Sequence, residues 1–166
     1  LALDASIVLA SAQGERSMSL DAFFVAYRQT AMLPDEIVKT IVIPRVAGEA
    51  AKRRRYETYK VSKRREMDIS IVAAGFCLDL DAQGLISAAR LGFGGVAATP
   101  IRAKKTETFL IGKPWNAHTV TQAKAILATE FTPIDDVRSK RTFRRGLIVS
   151  LFEKFFSGET SEAQDR

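Results

Sequence analysis

The chain has 166 residues, 46% of them hydrophobic, which is enough for the core of one domain or of one small domain plus a piece of its neighbour. Its formal charge of +6 would suit nucleic acid, but the basic clusters at residues 52–65 and 138–145 lack the interleaved aromatics on which bases stack, so that class is set aside. One cysteine and one histidine exclude an intrachain disulfide and an ordinary zinc or iron–sulfur ligand set, and no apolar run reaches the roughly 20 residues of a membrane span.

Residues 5–11 are rich in strand formers, Gln13 and Gly14 make a turn, and residues 16–20 alternate on its far side, which predicts a hairpin. Asp21 is placed to cap a short turn before Phe23 and Phe24. The stretch "EIVKTIVIP" predicts a strand ended by Pro44. Simple alternation puts Val38, Thr40 and Val42 on one face and Ile37, Lys39, Ile41 and Ile43 on the other. Residues 46–54 have little pattern and read as a link.

Strands are predicted at 56–61, 69–79 and 85–93, the last two joined by "DLDAQG", whose Gly84 tolerates positive φ. Helices follow at 101–110, with Pro100 in the first turn, at 116–131 and at about 139–156, where Phe143, Leu147, Ile148, Leu151, Phe152 and Phe155 keep helical spacing. After Gly158 the sequence is polar and frayed. The fold class is α+β, a three-stranded antiparallel sheet packed against about three helices.

Few side chains suggest chemistry by themselves. Cys77, in an apolar alternation, reads as a small buried hydrophobe, with a reactive thiol as the alternative. His118 reads as a surface or capping residue rather than a general base, for no triad surrounds it. "GFGGVAATP" lacks the spacing of a phosphate-cradling loop and serves a sharp strand exit. "DDVRSKRTFRR" places arginines where they oppose a helix dipole, a conflict that a carboxylate or a docking surface would relieve. The cluster in 52–65 holds eight lysines and arginines against only Glu57, so a compensating anion, a partner or solvent must absorb the repulsion.

"YKVSKRREMDISIVAAGFCLDLD", "LGFGGVAATPIRAKKTETFLIG" and "FTPIDDVRSKRTFRRGLIVSLFEKFF" together resemble, in order and spacing, the C-terminal domain of molybdenum hydroxylase flavoproteins, as in xanthine dehydrogenase and carbon monoxide dehydrogenase. The earlier "LDAFFVAYRQTAMLPDEIVKTIVIP" resembles the end of the preceding FAD-binding domain and is most similar to the small subunit of bacterial xanthine dehydrogenase.

The resemblance implies that residues 1–50 end an FAD-binding domain, that 51–158 form the C-terminal domain, and that 159–166 are a polar tail. It implies a cytoplasmic oxidoreductase component of purine catabolism. Electrons from a molybdopterin centre would pass through two-iron two-sulfur clusters to FAD, and hydride then to NAD. Its partners would be the upstream part of the FAD-binding domain, an iron–sulfur domain and a molybdopterin-binding subunit, with no nucleic acid and no membrane.

Carried over by motif, Lys60 matches a lysine beside the isoalloxazine ring and Val38 an apolar flavin contact. Arg64, Asp68 and Ile69 belong to a loop near the flavin face where NAD approaches. Met67 replaces an acidic residue of the mammalian enzymes. No residue is assigned to catalysis or to a metal. The glycine-rich loops that hold the FAD pyrophosphate in this family would lie ahead of Leu1, whose start, without methionine or signal pattern, reads as that of a fragment. A cation about 4 Å from the reduced ring contributes on the order of 4 kcal/mol at an effective dielectric near 20. A flavoprotein remnant used only for assembly is the alternative.

Overall fold

The computed structural model describes residues 1–64 and 68–164, with side chains to residue 158. Strands β1 (Ser6–Ser11) and β2 (Gly14–Ser19) form the expected hairpin, and β5 (Ile37–Val42) pairs antiparallel on the other side of β1. Between them lie helix α1 (Leu20–Phe23) and the short pair β3 (Phe24–Ala26) and β4 (Gln29–Thr30). Asp21 does not cap this helix: the cap position falls on Ser19, and Asp21 sits in the first turn, where its charge still complements the dipole. Ile7, Leu9 and Phe23 form a small core, with Phe23 and Phe24 packed edge to face.

The β1–β5 register departs from simple alternation. Val8 faces Thr40 while Leu9 faces Val38, so Lys39 is an extra residue and the pattern slips by one. Val38 therefore shares the face of Ile41, and Ile37 shares that of Thr40, unlike the faces drawn from the sequence. Every residue of this edge strand is exposed.

Helix α2 (Gly48–Lys52) lies in the segment expected to be a link. Beyond it, β6 (Arg54–Val61), β7 (Val72–Leu80) and β8 (Ile86–Gly94) form the antiparallel sheet expected, and a two-residue strand β9 (Ile101–Arg102) extends it. The helix foreseen from Ile101 begins only at α3 (Lys104–Leu110), because the outer edge of β8 takes up the preceding backbone. Gly92 and Phe93 pair with Arg102 and Ile101, and the Ala103 N–H donates to the Leu91 carbonyl at 2.9 Å. Helix α4 (Ala117–Glu130) is capped by Asn116, whose side chain accepts from the Thr119 amide at 3.0 Å. Helix α5 (Arg141–Gln164) continues past Gly158, where fraying was expected.

Alternation in the sheet settles where the main core sits. Phe76, Leu78, Leu91 and Phe93 point to one face, against Leu127, Ile148, Phe152 and Phe155 of α4 and α5. Phe76 is central, with ring centroids 5.2 Å from Phe93, 5.5 Å from Phe155 and 6.1 Å from Phe152. Among the described residues the helices of this core do not cover the opposite face. Its rows, read across β6, β7 and β8, are Arg54, Asp79 and Ala88; Tyr56, Cys77 and Arg90; Thr58, Gly75 and Gly92; Lys60, Ala73 and Gly94.

The N-terminal segment lies on this bare face. A Cβ added to Gly92 would come 3.3 Å from Leu1 Cβ, and one added to Gly75 would come 3.4 Å from Ala2 Cβ. Asp4, held at φ +49°, pairs with Arg90 and with Arg102, the latter at 2.8 Å. Arg90 continues to Asp79 at 2.9 Å and Asp79 to Arg54 at 2.6 Å. Arg102 also forks onto buried Glu107 through two bonds of 2.9 Å, and Glu107 accepts the Leu91 amide at 2.8 Å. Six side chains thus form one ladder of alternating charge.

Two expectations follow for the complete polypeptide. Glu107→Ala leaves the Leu91 amide unpaired and Arg102 with Asp4 as its remaining carboxylate, and costs about 3–5 kcal/mol in denaturant unfolding; replacing the pair together, as Arg102→Met with Glu107→Leu, costs less. Glu36, nearly buried, accepts two bonds from Arg16 (2.6 and 2.8 Å) and the Leu33 amide (2.6 Å), which hold its carboxyl down to about 2 from an ordinary 4.5. Because the folded value is the lower one, this stabilisation is complete above about pH 4.5 and is lost as pH falls towards 2. The difference in Tm between wild type and Glu36→Gln should be constant above that range and shrink within it.

Candidate functional site

An open groove of about 530 Å³ lies between the N-terminal unit and the bare face of the second sheet. Its floor is made of Ala73, Gly75, Gly92 and Gly94, and Ile41 and Ile43, from β5 and just beyond it, stand along it. The floor is flat because these positions carry little or no side chain, and the lining is almost wholly apolar. A planar, mostly apolar ring system suits such a space better than a compact polar metabolite.

Lys60 projects from the same bare face. Tyr59 and Val61 turn towards the helices, so alternation sends Lys60 to the other side, in one row with Ala73 and Gly94 of the floor. It is exposed, and its ammonium has no hydrogen-bond partner among the described residues. Val38 shares the face of Ile41, but neither Val38 nor Lys60 is part of the groove lining.

Arg64, Asp68 and Ile69 belong to the crossing from β6 to β7. Asp68 staples this crossing to itself: one oxygen accepts the Arg64 amide at 3.0 Å and the other the Ile69 amide at 2.8 Å. The Arg64 amide, assisted by that of Ile69, holds the carboxyl below its usual range against the effect of burial. The Arg64 guanidinium is 3.9 Å from Asp68 and largely exposed, and the Ile69 side chain is exposed. The structure thus brings Arg64, Asp68 and Ile69 together in one segment, with Lys60 close before it in sequence and Val38 on another sheet. Met67 lies outside the described residues.

The basic cluster meets its partners largely within the fold. Arg54 pairs with Asp79, Lys52 with Glu49 at 2.7 Å, Arg53 donates to the Leu80 carbonyl at 3.3 Å and Arg55 to the Lys52 carbonyl at 3.1 Å. Repulsion therefore does not force an external anion there. Burial pushes the Cys77 thiol up, against the opposing influence of Arg54 and Arg90, and Cys77 is fully buried, so the reactive-thiol alternative falls away. His118 is exposed in the first turn of α4.

Sequence reasoning missed Arg144. It stood in "DDVRSKRTFRR" as one helix charge among several, yet it is buried, with Nη1 donating to the carbonyls of Ile71 (2.9 Å) and Gly95 (2.5 Å) and Nη2 to Asp136 (2.6 Å). Asp135 meanwhile accepts the Arg141 amide and side chain, so carboxylates relieve the basic helix start. The helical spacing of Arg144 with Ile148, Leu151 and Phe155 was the available signal that it faces inward. Among the described residues no helix is long and apolar enough to cross a membrane.

The model of the CO dehydrogenase flavoprotein C-terminal domain matches residues 57–158, and that of the FAD binding domain in molybdopterin dehydrogenase matches residues 1–46. Xanthine dehydrogenase of Blastobotrys adeninivorans is 36% identical over 163 residues, covering 92% of this chain and 11% of that protein. The nicotinate dehydrogenase FAD-subunit of Eubacterium barkeri is 28% identical over 157 residues, covering 93% of this chain and 52% of that subunit. Among solved structures, quinoline 2-oxidoreductase from Pseudomonas putida 86 superposes with a TM-score of 0.80 at 24% identity, covering 98% of this chain and 54% of the other. Carbon monoxide dehydrogenase from Hydrogenophaga pseudoflava gives 0.81 at 22%, covering 92% and 51%. The chain spans about half the length of such subunits and a far smaller share of the xanthine dehydrogenase, and these structures share its fold. With the matched domain covering most of its length and the second model accounting for its start, the chain belongs to the family of CO dehydrogenase flavoprotein C-terminal domains, preceded by part of a molybdopterin dehydrogenase FAD binding domain.

Proposed function

We propose that this chain is the flavin-facing part of a xanthine dehydrogenase-like molybdenum hydroxylase, in which electrons leaving a molybdopterin centre through two-iron two-sulfur clusters reach FAD and pass to NAD. The observation that carries the reading is the flat apolar groove between the two units, with Lys60 standing in one row with its glycine and alanine floor. FAD, when bound, supplies a two-electron acceptor that can be filled one electron at a time.

The residues here fit the ring end of that cofactor. Small floor residues admit a flat ring, Ile41 and Ile43 offer apolar contact from the N-terminal unit, Val38 would reach the ring only from beyond the groove lining, and Lys60 offers a cation that favours the electron-rich state of the ring. Arg64, Asp68 and Ile69 form the rim at which the nicotinamide acceptor approaches. Residues 1–50 would act as the end of the FAD-binding domain, 51–158 as its cover and 159–166 as a tail. The exposed apolar edge strand β5, with Ile37 67% exposed, supports packing against the upstream part of that domain. An iron–sulfur domain and a molybdopterin-binding subunit complete the relay, with purines as the substrate class, in the cytoplasm.

The test uses the complete polypeptide with its partners. It should copurify with FAD and reduce NAD; a colourless complete chain would overturn the reading in favour of an assembly module. Lys60 is exposed, so solvent screening brings its effect towards the aqueous limit of about 1 kcal/mol, or roughly 40 mV for one electron. Lys60→Ala should lower the flavin midpoint potential by that order in a redox titration, and an unchanged titration would remove Lys60 from the site.

A further inference from the structure

Arg144 is 4% exposed, and among the described residues it is the one side chain with a buried nitrogen, Nε, left without a partner. Burying an arginine this way adds little net stability, since apolar side chains of similar volume would pack there at no greater cost. What the guanidinium does achieve is geometric, because its planar fork fixes three separate pieces of chain at once.

The first piece is the far leg of the β6–β7 crossing. The Ile71 amide donates to the Val61 carbonyl at 2.7 Å, closing the base of the crossing, while the Ile71 carbonyl accepts from Arg144. The second is the exit from β8: Gly95 has φ +81°, and a Cβ there would collide with the Ile71 carbonyl oxygen and come 3.2 Å from Arg144 Nη1. The third is the turn before α5, where Asp136 accepts the Arg138 and Ser139 amides, both at 2.9 Å, as well as Arg144. The near leg of the crossing has its own tie, Lys63 Nζ to the Val137 carbonyl at 3.3 Å. Both legs of the crossing are thus tied to the segment that "DDVRSKRTFRR" encodes.

We propose that Arg144, oriented by Asp136, is a positioning residue of the flavin site, setting where the leg bearing Asp68 and Ile69 stands relative to the groove. The proposal rests on the flavin reading above. Arg144 reaches the site only through the Ile71 peptide, two residues beyond Ile69, so its influence is on placement and not on the reacting atoms. A lysine in its place keeps the charge but cannot donate along the same fork, and Asp136→Asn keeps the shape while removing the charge that orients it.

The experiment compares wild type, Arg144→Lys, Asp136→Asn and Lys63→Met in the complete polypeptide assembled with its partners. The two hub variants should retain FAD, exchange the amides of residues 69–71 at least tenfold faster, change the visible circular dichroism of the bound flavin, and raise KM for NAD about threefold or more with kcat within twofold. Lys63→Met, a surface change that leaves the core intact, should shift the flavin dichroism in the same direction but less. Folded, FAD-loaded hub variants with unchanged flavin dichroism overturn the proposal and leave the flavin reading standing. Should both hub variants fail to fold, the Lys63→Met spectrum decides: a shift supports the proposal and an unaltered spectrum overturns it. A wild type that carries no FAD overturns the flavin reading and the proposal with it.

Discussion

The structure depends on a sheet whose two faces have opposite requirements. One is filled by aromatic rings and needs helices to cover it. The other is cleared of bulk in its middle rows, and Leu1 and Ala2 sit so close to Gly92 and Gly75 that an added Cβ would come 3.3 Å from Leu1 Cβ, tighter than ordinary contact, and 3.4 Å from Ala2 Cβ. A close approach of backbone to sheet is possible only where side chains are absent. The glycine and alanine rows therefore create two things together: a seat for the N-terminal segment and, where that segment does not reach, the groove.

Charge holds the seat in register. Asp4 bonds both Arg90 and Arg102, and without it two half-buried guanidinium groups would face one another across the sheet with fewer carboxylates between them. Such a ladder adds little stability for each pair, but it penalises any displacement that unpairs a buried member. Several of the arginines that look like a nucleic-acid footprint in the sequence are paired here and at Asp136. Net charge alone is a poor guide when the compensating acids lie far away in sequence.

That distance also explains what the sequence could and could not disclose. The hairpin, the three long strands and helices α4 and α5 follow from local periodicity and turn chemistry, and they were legible. The edge strand β9 was not, because its pairing depends on an open edge of β8 rather than on its own residues. The slip at Lys39 was hidden for the same reason, since a bulge is defined by the partner strand. The Arg54–Asp79, Arg90–Asp4 and Arg102–Asp4 pairs span 25, 86 and 98 residues, beyond the reach of any local pattern. Of the candidate site, the order of Lys60, Arg64, Asp68 and Ile69 was legible through a family resemblance. The self-stapling of Asp68 and the anchoring by Arg144 needed the fold.

The bare face is electrostatically lopsided, and this asymmetry gives the groove its chemical direction. At one end the rows carry acid and base together, Arg54 with Asp79 and Arg90 with Asp79 and Asp4, so the local field is largely cancelled. At the other end Lys60 shares its row with alanine and glycine, and that row holds no carboxylate. Water screens that charge while the surface is open. An apolar body laid along the floor would displace the water, lower the local dielectric and strengthen the interaction of Lys60 with whatever lies beside it. A neutral occupant would then leave the ammonium poorly solvated, whereas one able to take up negative charge would be stabilised most when it does. Under the proposed flavin reading, the arrangement would favour a flat, reducible ring over an inert apolar ligand of the same shape.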